Sequence, residues 1–410
     1  MFKRSKETLV SEIPSTKLEA SVIVPVRNEE ELLPSALQSL AEQRTLDGGR
    51  LSPERYEVIL LINNTTDRSR HIAESFQHLY PEFRLHVAER HLGKSKAHIG
   101  YVRRILMDEA CRRLETVGHA SAAILSTDGD TRVAPNWIAQ NQEELARGAQ
   151  AVGGRIVIPG CEQGDLAPAT QALYRLDHVY RRLVSWMEDR FDSATHDPWP
   201  RHHHHFGASL AITPYAYKLA GRLPPRRQLE DCAFYDALIR HDIRVRHSNQ
   251  VRVFTSARLK GRTRAGLANQ LREWAANEKT SIRIQVETAA FLKHIFTTRH
   301  NLRRTWCDFR STRELSNDLA KELSSEIGLS AARITSEIRT ARYFGVLLEN
   351  LKFYENCRCM WPEWVRLAPL NEVVEQLFAA FREDQRNRRV PARPREALLA
   401  RVLQQNASRD

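Results

Sequence analysis

Long apolar runs are missing from this sequence. Nowhere do about eighteen uncharged apolar residues follow one another, so no membrane-spanning helix is expected. The start, MFKRSKETLVSEIPSTKLEA, lacks the apolar stretch of a signal peptide, and a cytoplasmic location is the expectation. Cysteine is scarce, with six in 410 residues: Cys111, Cys161, Cys232, Cys307, Cys357 and Cys359. Only Cys357 and Cys359 lie close, at a spacing that suits neither a structural zinc site nor a thioredoxin motif, which leaves reduced thiols as the reading. Nucleic-acid modules are absent too: there is no basic region with heptads, no C2H2 pattern and no RNP-like segment.

Positive charge is what the chain has in excess. Its net charge of +12 and pI near 9.6 call for an anionic partner: nucleic acid, an acidic membrane surface or a diphosphate substrate. Charge alone does not choose among the three. With 42% hydrophobic residues the chain can bury a sizeable core, and its length fits two or three domains.

Through about residue 160, short β-branched apolar runs alternate with amphipathic stretches, the pattern of βαβ units and a mainly parallel sheet. SVIVPV (Ser21 to Val26), EVILLIN (Glu57 to Asn63) and AAILSTD (Ala122 to Asp128) read as buried strands. Helical spacing covers Glu30 to Gln43, Ser69 to Leu79 and Lys96 to Leu114. Right-handed crossovers would bring the three strand ends to one edge, where an open α/β fold binds its ligand. From Gly153 to about Gly261 the pattern is less regular, with a helix near Pro168 to Glu188, a His- and Pro-rich loop and a helix at Asp231 to His241, and it reads as an acceptor half. Beyond Ala265 the pattern is helical: Leu267 to Phe296, Leu315 to Ile327, Ala331 to Phe353 and Glu372 to Phe381. The division expected is an extension over residues 1–19, a catalytic domain over 20–264, a helical domain over 265–384 and a basic tail, mobile in part, over 385–410.

The sharpest chemical signal is Asp128-Gly129-Asp130, two carboxylates directly after a buried strand. A divalent ion that bridges two phosphates wants hard oxygen ligands and an open coordination shell, which this pattern supplies. A plain turn is the alternative, since Asp and Gly both tolerate turn geometry. The neighbouring strand ends add context. The first runs into PVRNEEELLPSALQSLAEQ, the second into INNTTDRS, and HLGKSKAH sets Lys94 and Lys96 beside a helix start, a natural phosphate site.

The order SVIVPVRNEE, VILLINNTTDRS, LGKSKAH, ILSTDGD and GGRI (Gly153 to Ile156), followed by FGASLAITPYAYKLAGRLP and LEDCAFYDALIRHDIRV, is similar to the successive motifs of family 2 glycosyltransferases, across residues 20 to 262. The resemblance implies a GT-A fold, a Rossmann-like mainly parallel α/β sheet, here with a C-terminal helical domain. It implies a nucleotide-diphospho-sugar donor, a hydroxyl acceptor and a divalent metal, Mg or Mn. Carried over by position, Asp130 would be the principal metal ligand and Asp128 would assist it or contact the ribose. Pro25, Arg27, Glu29 and Asn63 would surround the nucleotide, Lys94 would lie near the phosphates, and Gly129 and Gly207 would border the donor. Asp231 would be the general base of an inverting displacement, with Glu230 orienting its loop; a helix N-cap is the plainer role for Asp231.

The chain departs from the family in one respect. Many members carry an acidic pair where this sequence has Ile62 and Asn63, and Asn63 both accepts and donates, so the base is not specified. His202 to His205 form a run in which His205 is the best acceptor-side candidate, against a polar, partly exposed loop. Arg258, in the basic segment VFTSARLKGRTRAG, would neutralise the departing diphosphate, against a solvated connector. The amphipathic stretch Ala289 to Trp306 could pack on the catalytic domain, lie on an anionic membrane or pair with a second subunit. Three rival functions are weighed, and the intact carboxylates argue against one of them, a catalytically dead sugar-binding relative. A nucleic-acid-binding protein would explain the charge and leave the carboxylates idle; a nucleotidyltransferase would need a glycine-rich loop after the first strand, which PVRNEEE lacks.

Overall fold

The computed structural model of the chain describes residues 8–159, 167–256, 269, 272–275 and 284–387. The chain forms two compact units, one of Met1–Gln163 with His204–Asn269 and the other of Gly164–His203 with Gln270–Asp410.

The first unit is built on an eight-stranded sheet. In chain order its elements are β1 (Ala20–Val26), α1 (Leu33–Ala41), β2 (Tyr56–Asn63), α2 (Ser69–Leu79), β3 (Leu85–Arg90), α3 (Ile99–Val117), β4 (Ala123–Ser126), β5 (Thr131–Val133), α4 (Trp137–Ala146) and β6 (Ala151–Val157). After α5 (Pro168–Phe191), which belongs to the second unit, come β7 (Leu210–Ile212), α6 (Pro214–Leu219), α7 (Glu230–Arg240) and β8 (Val245–Thr255). The strand order is β3-β2-β1-β4-β7-β6-β8-β5. Strands β3, β2, β1 and β4 run parallel, as do β6 and β8, while β7 and β5 run antiparallel to their neighbours.

Period-two alternation explains why the sheet is covered on both faces. Val22, Val24, Val58, Leu60 and Ile62 enter one apolar cluster, with Leu33, Leu37 and Phe76 of α1 and α2. The intervening Ile23, Ile59 and Leu61 enter a second, with Leu106, Met107 and Ala110 of α3 and Phe234 of α7. Strand β3 was not among the expected strands; LHVAER mixes polar and apolar residues because it is the edge of the sheet.

The second unit is helical and has its own core. To α5 it adds β9 (Gln285–Glu287), α8 (Ala289–Thr312), α9 (Asn317–Ile327), α10 (Ala331–Thr340), α11 (Phe344–Asn350), α12 (Phe353–Cys359), β10 (Leu367–Pro369) and α13 (Leu370–Asn387). Helix α5 buries Val179, Leu183, Trp186 and Met187 among Phe291, Ile295 and Phe381, with Trp186 edge-on to Phe381 at 5.2 Å. Arg299 and Arg303 of α8 pair with Glu188 of α5 and with Asp192, its C-cap. The helical pattern read over Ala331 to Phe353 is two helices and a turn, broken where Ala341 turns extended and its carbonyl accepts from Trp306 Nε1 at 3.2 Å. No helix among the described residues is long and apolar enough to cross a membrane.

Candidate active site

Because β1, β2 and β4 are parallel, their C-terminal ends share one sheet edge. Asparagines lace the loops there. Asn28, in the left-handed region at φ 54°, accepts from the Thr66 amide at 2.8 Å and so joins the loop after β1 to the loop after β2. Asn64, at φ 49°, exchanges two 3.0 Å hydrogen bonds with the Leu92 backbone and joins the second loop to the third. Asp67 accepts from the Glu30 amide and from Ser69. These side chains hold the edge in shape.

Of the residues expected around a donor, Pro25 is buried in the β1 ladder opposite Leu61, Arg27 is exposed, and Glu29 is buried with its amide on Ser69 Oγ at 2.7 Å. Asn63 closes β2, and among the described residues its Oδ1 is buried with no hydrogen-bond partner; Thr127 Oγ1, just after β4, is in the same state. Lys94 is exposed, and its carbonyl accepts from Arg227 at 3.0 Å. Its neighbour Lys96 lies over the Tyr101 ring, and His98 caps α3 through the Tyr101 amide.

The Asp128-Gly129-Asp130 turn follows β4. Gly129 is buried against β1, where a Cβ would come within 3.0 Å of Val26 and 3.4 Å of Glu29 and the Pro25 carbonyl. The turn is therefore pressed onto the first strand's end. Asp130, part-exposed, accepts from Thr131 Oγ1 at 3.2 Å. Asp128 is one-third exposed and accepts from Arg103 Nη2 at 2.6 Å. Among the described residues no three His, Cys, Asp or Glu side chains form a metal-binding group. Two carboxylates of hard oxygen still fit an ion such as Mg or Mn, which takes one or two protein carboxylates and fills its shell with phosphate oxygens and water.

Arg103 was not singled out from sequence. It lies on the inward face of α3, 3% exposed, and its other terminal nitrogen donates to Glu230 Oε1. Burial works against its charge, yet Asp128, Glu230 and Asp231 outweigh that and hold the guanidinium further above its usual range. Burial pushes the Glu230 carboxyl up, with Asp231 adding to the rise and Arg103 opposing it.

Glu230 and Asp231 open α7. The N-cap is Leu229, left-handed at φ 52°, so Asp231 lies in the first turn and not at the cap. Asp231 Oδ2 accepts from the Gly207 amide at 3.0 Å and Oδ1 from the Cys232 amide at 2.9 Å. The Gly207 carbonyl accepts from Ser126 Oγ at 2.8 Å, which ties the Asp231 carboxylate to the end of β4. The ring of His205 stacks on Tyr235 at 4.0 Å and 12°. His204 Nδ1 takes the Ile156 amide at 2.9 Å, a tie to the sheet, while His202 and His203 belong to the second unit. Arg258 lies outside the described residues.

Among solved structures the chain is similar to a mannosyltransferase from Pyrobaculum calidifontis in complex with GDP-Man and Mn2+, at 15% identity and a TM-score of 0.41 over 92% of this chain and 89% of that one. It is similar to S. aureus TarS 1-349 in complex with UDP, at 14% identity and a TM-score of 0.42 over 84% and 93%. It is also similar to glucosyl-3-phosphoglycerate synthase from Mycobacterium tuberculosis, at 15% identity and a TM-score of 0.36 over 66% and 83%. Likenesses this loose carry no inference about donor or acceptor. No curated protein matches the chain. Residues 21–213, which hold every strand end described above, match the family model of glycosyl transferase family 2, which identifies this segment as a domain of that family.

Proposed function

We propose that this glycosyltransferase moves a sugar from a nucleotide-diphospho-sugar to an acceptor hydroxyl, with inversion at the anomeric carbon and with the help of a divalent ion. The observation that carries the reading is the Gly207 peptide, which binds Asp231 through its amide and the end of β4 through its carbonyl, so that the carboxylate turn and a candidate base share one edge.

Asp130, assisted by Asp128, would hold the ion; when bound, it supplies positive charge to the diphosphate as that group leaves. The rest falls to the chain. Asp231 is fixed by two backbone amides and takes the proton of the acceptor hydroxyl. The hydroxyl oxygen bonds to the anomeric carbon as the carbon–oxygen bond to the diphosphate breaks on the opposite face. Lys94 stands exposed beside the start of α3, placed for phosphate.

A panel of nucleotide-diphospho-sugars, assayed for release of nucleotide diphosphate with Mn2+, Mg2+ or chelator and with hydroxyl acceptors, tests the reading. Turnover is expected only with metal, and the product's anomeric configuration is expected to be inverted. Asp130→Ala should lower transfer by at least about 100-fold, the scale of losing one preorganised electrostatic contact. Full transfer in chelator would remove the metal from the mechanism, and a retained configuration would remove Asp231 as base. Tight, salt-sensitive binding to DNA or RNA without donor turnover would favour a nucleic-acid-binding protein.

A further inference from the structure

A single cation sits between the two halves of the candidate site. Arg103 reaches Asp128 on the donor-side turn with one terminal nitrogen, at 2.6 Å, and Glu230 beside the candidate base with the other. The two carboxylates belong to different elements, one following β4 and the other opening α7. The guanidinium lies against Gly207, where any Cβ would fall inside van der Waals contact with both terminal nitrogens and Cζ. Gly207 is also the residue whose amide holds Asp231. Three segments distant in sequence therefore close on one planar group carried by a fourth, α3.

We propose that Arg103 is a positioning residue of the transfer reaction, whose forked guanidinium sets the distance between the Asp128 to Asp130 turn and the Glu230–Asp231 carboxylates. The inference rests on the glycosyltransfer reading above. Only a planar fork gives two carboxylates on separate elements one shared, directional partner; an ammonium is a point charge on a flexible stem. Packing alone does not call for a charge here. Val102, Leu106, Met107 and Ala110 already seat α3 on the sheet, and desolvating a guanidinium costs several kcal/mol before its partners offset it. Its Nε, buried with no hydrogen-bond partner among the described residues, adds to that cost. What the arrangement yields is register. Asp128, with one oxygen already held by a cation, presents reduced charge to the donor, which leaves Asp130 as the stronger metal ligand.

The experiment compares wild type with Arg103→Lys, Gly207→Ala, Glu230→Gln and the Arg103→Lys/Glu230→Gln pair, measuring Tm, donor KM and kcat per folded enzyme. Arg103→Lys should lower kcat by roughly 100-fold with donor KM changed by no more than about threefold, since a misplacement near 1 Å costs that much. Gly207→Ala, which displaces the guanidinium from the other side, should follow the same split. The double variant should be no slower than the slower single one, as residues that act as one unit are not additive. The inference is overturned if Arg103→Lys keeps kcat within about threefold of wild type, or if the effects of the pair multiply. Should Arg103→Lys not fold, Glu230→Gln, which weakens one of the two carboxylate anchors of the fork, decides: kcat lost at constant KM supports the inference, and unchanged kcat sinks it. A wild type that turns over no donor refutes the glycosyltransfer reading itself, whereas an active wild type with an indifferent Arg103 refutes only this inference.

Discussion

Gly100 shows how much the site depends on single atoms. It opens α3, and a Cβ there would run into the backbone carbonyl of Arg226. Backbone cannot swing aside as a long side chain can, so Gly100→Ala should cost about 1–3 kcal/mol of stability, seen as a lower Tm. At Asp231 the opposite separation is expected. Asp231→Asn keeps a carbonyl oxygen for one of the two amides that now bind the carboxylate, so stability should fall by no more than the one lost hydrogen bond, about 1–3 kcal/mol, while kcat drops by about 10²–10⁴-fold, the usual worth of a positioned base. A melting curve beside a turnover assay separates the two cases. Asp128 and Asp231 were legible because each stands in a short local pattern at the end of a strand or the start of a helix. Arg103 was not. In sequence it is one of two adjacent arginines, Arg103 and Arg104, and only its place on the inward face of α3, three residues from Gly100, sets it apart. Its partners lie 25 and 127 positions away, and no local pattern records a contact at that range.

Strands β1, β2 and β3 are pinned to α3 by a buried ion pair. Glu57, at the start of β2, is 1% exposed and accepts from Ser21 Oγ and Arg113 Nε through one oxygen, both at 2.9 Å, and from Arg113 Nη2 at 2.6 Å through the other. Burial alone would raise the Glu57 carboxyl, but Arg113 and His86 outweigh it and bring it down to about 2. A folded value below the unfolded 4.5 means the stabilisation is complete above pH 4.5 and is lost as pH falls from there toward 2. The stability at stake is of order 3 kcal/mol. Glu57→Gln should therefore abolish that acid-side slope in urea-unfolding free energy, and it should cost about 3–5 kcal/mol at neutral pH by leaving Arg113 buried without its anion. An unchanged slope in the variant would show that other carboxylates govern the acid transition. Elements such as β1 and β2 were readable from their apolar runs, since both faces are buried. Strand β3 and the break at Ala341 were not, because an edge strand has no continuous apolar run and the turn at 341–343 depends on a carbonyl that Trp306 happens to reach.

At the scale of the molecule, the chain builds three apolar clusters with no residue in common: one of Val179, Trp186, Phe291 and their neighbours in the helical unit, and two lining the faces of the sheet. Amphipathic spacing marks which face of a helix is buried and not what buries it, so α5 could be read as a helix but not as a member of the second unit. The tryptophans divide unevenly between the units. Trp137 is in the first, while Trp186, Trp199, Trp274, Trp306, Trp361 and Trp364 are in the second. Tryptophan fluorescence therefore reports mainly the helical unit, whereas donor turnover reports the sheet edge. Cooperative all-or-none unfolding is expected within a core and is not guaranteed between cores. In a urea titration the fluorescence transition and the loss of transfer activity should have different midpoints, and far-UV circular dichroism should show both steps. If all three curves superimpose, the two units unfold as one cooperative whole, and stability changes such as those at Gly100 and Glu57 should then shift the tryptophan signal by the same free energy as they shift activity.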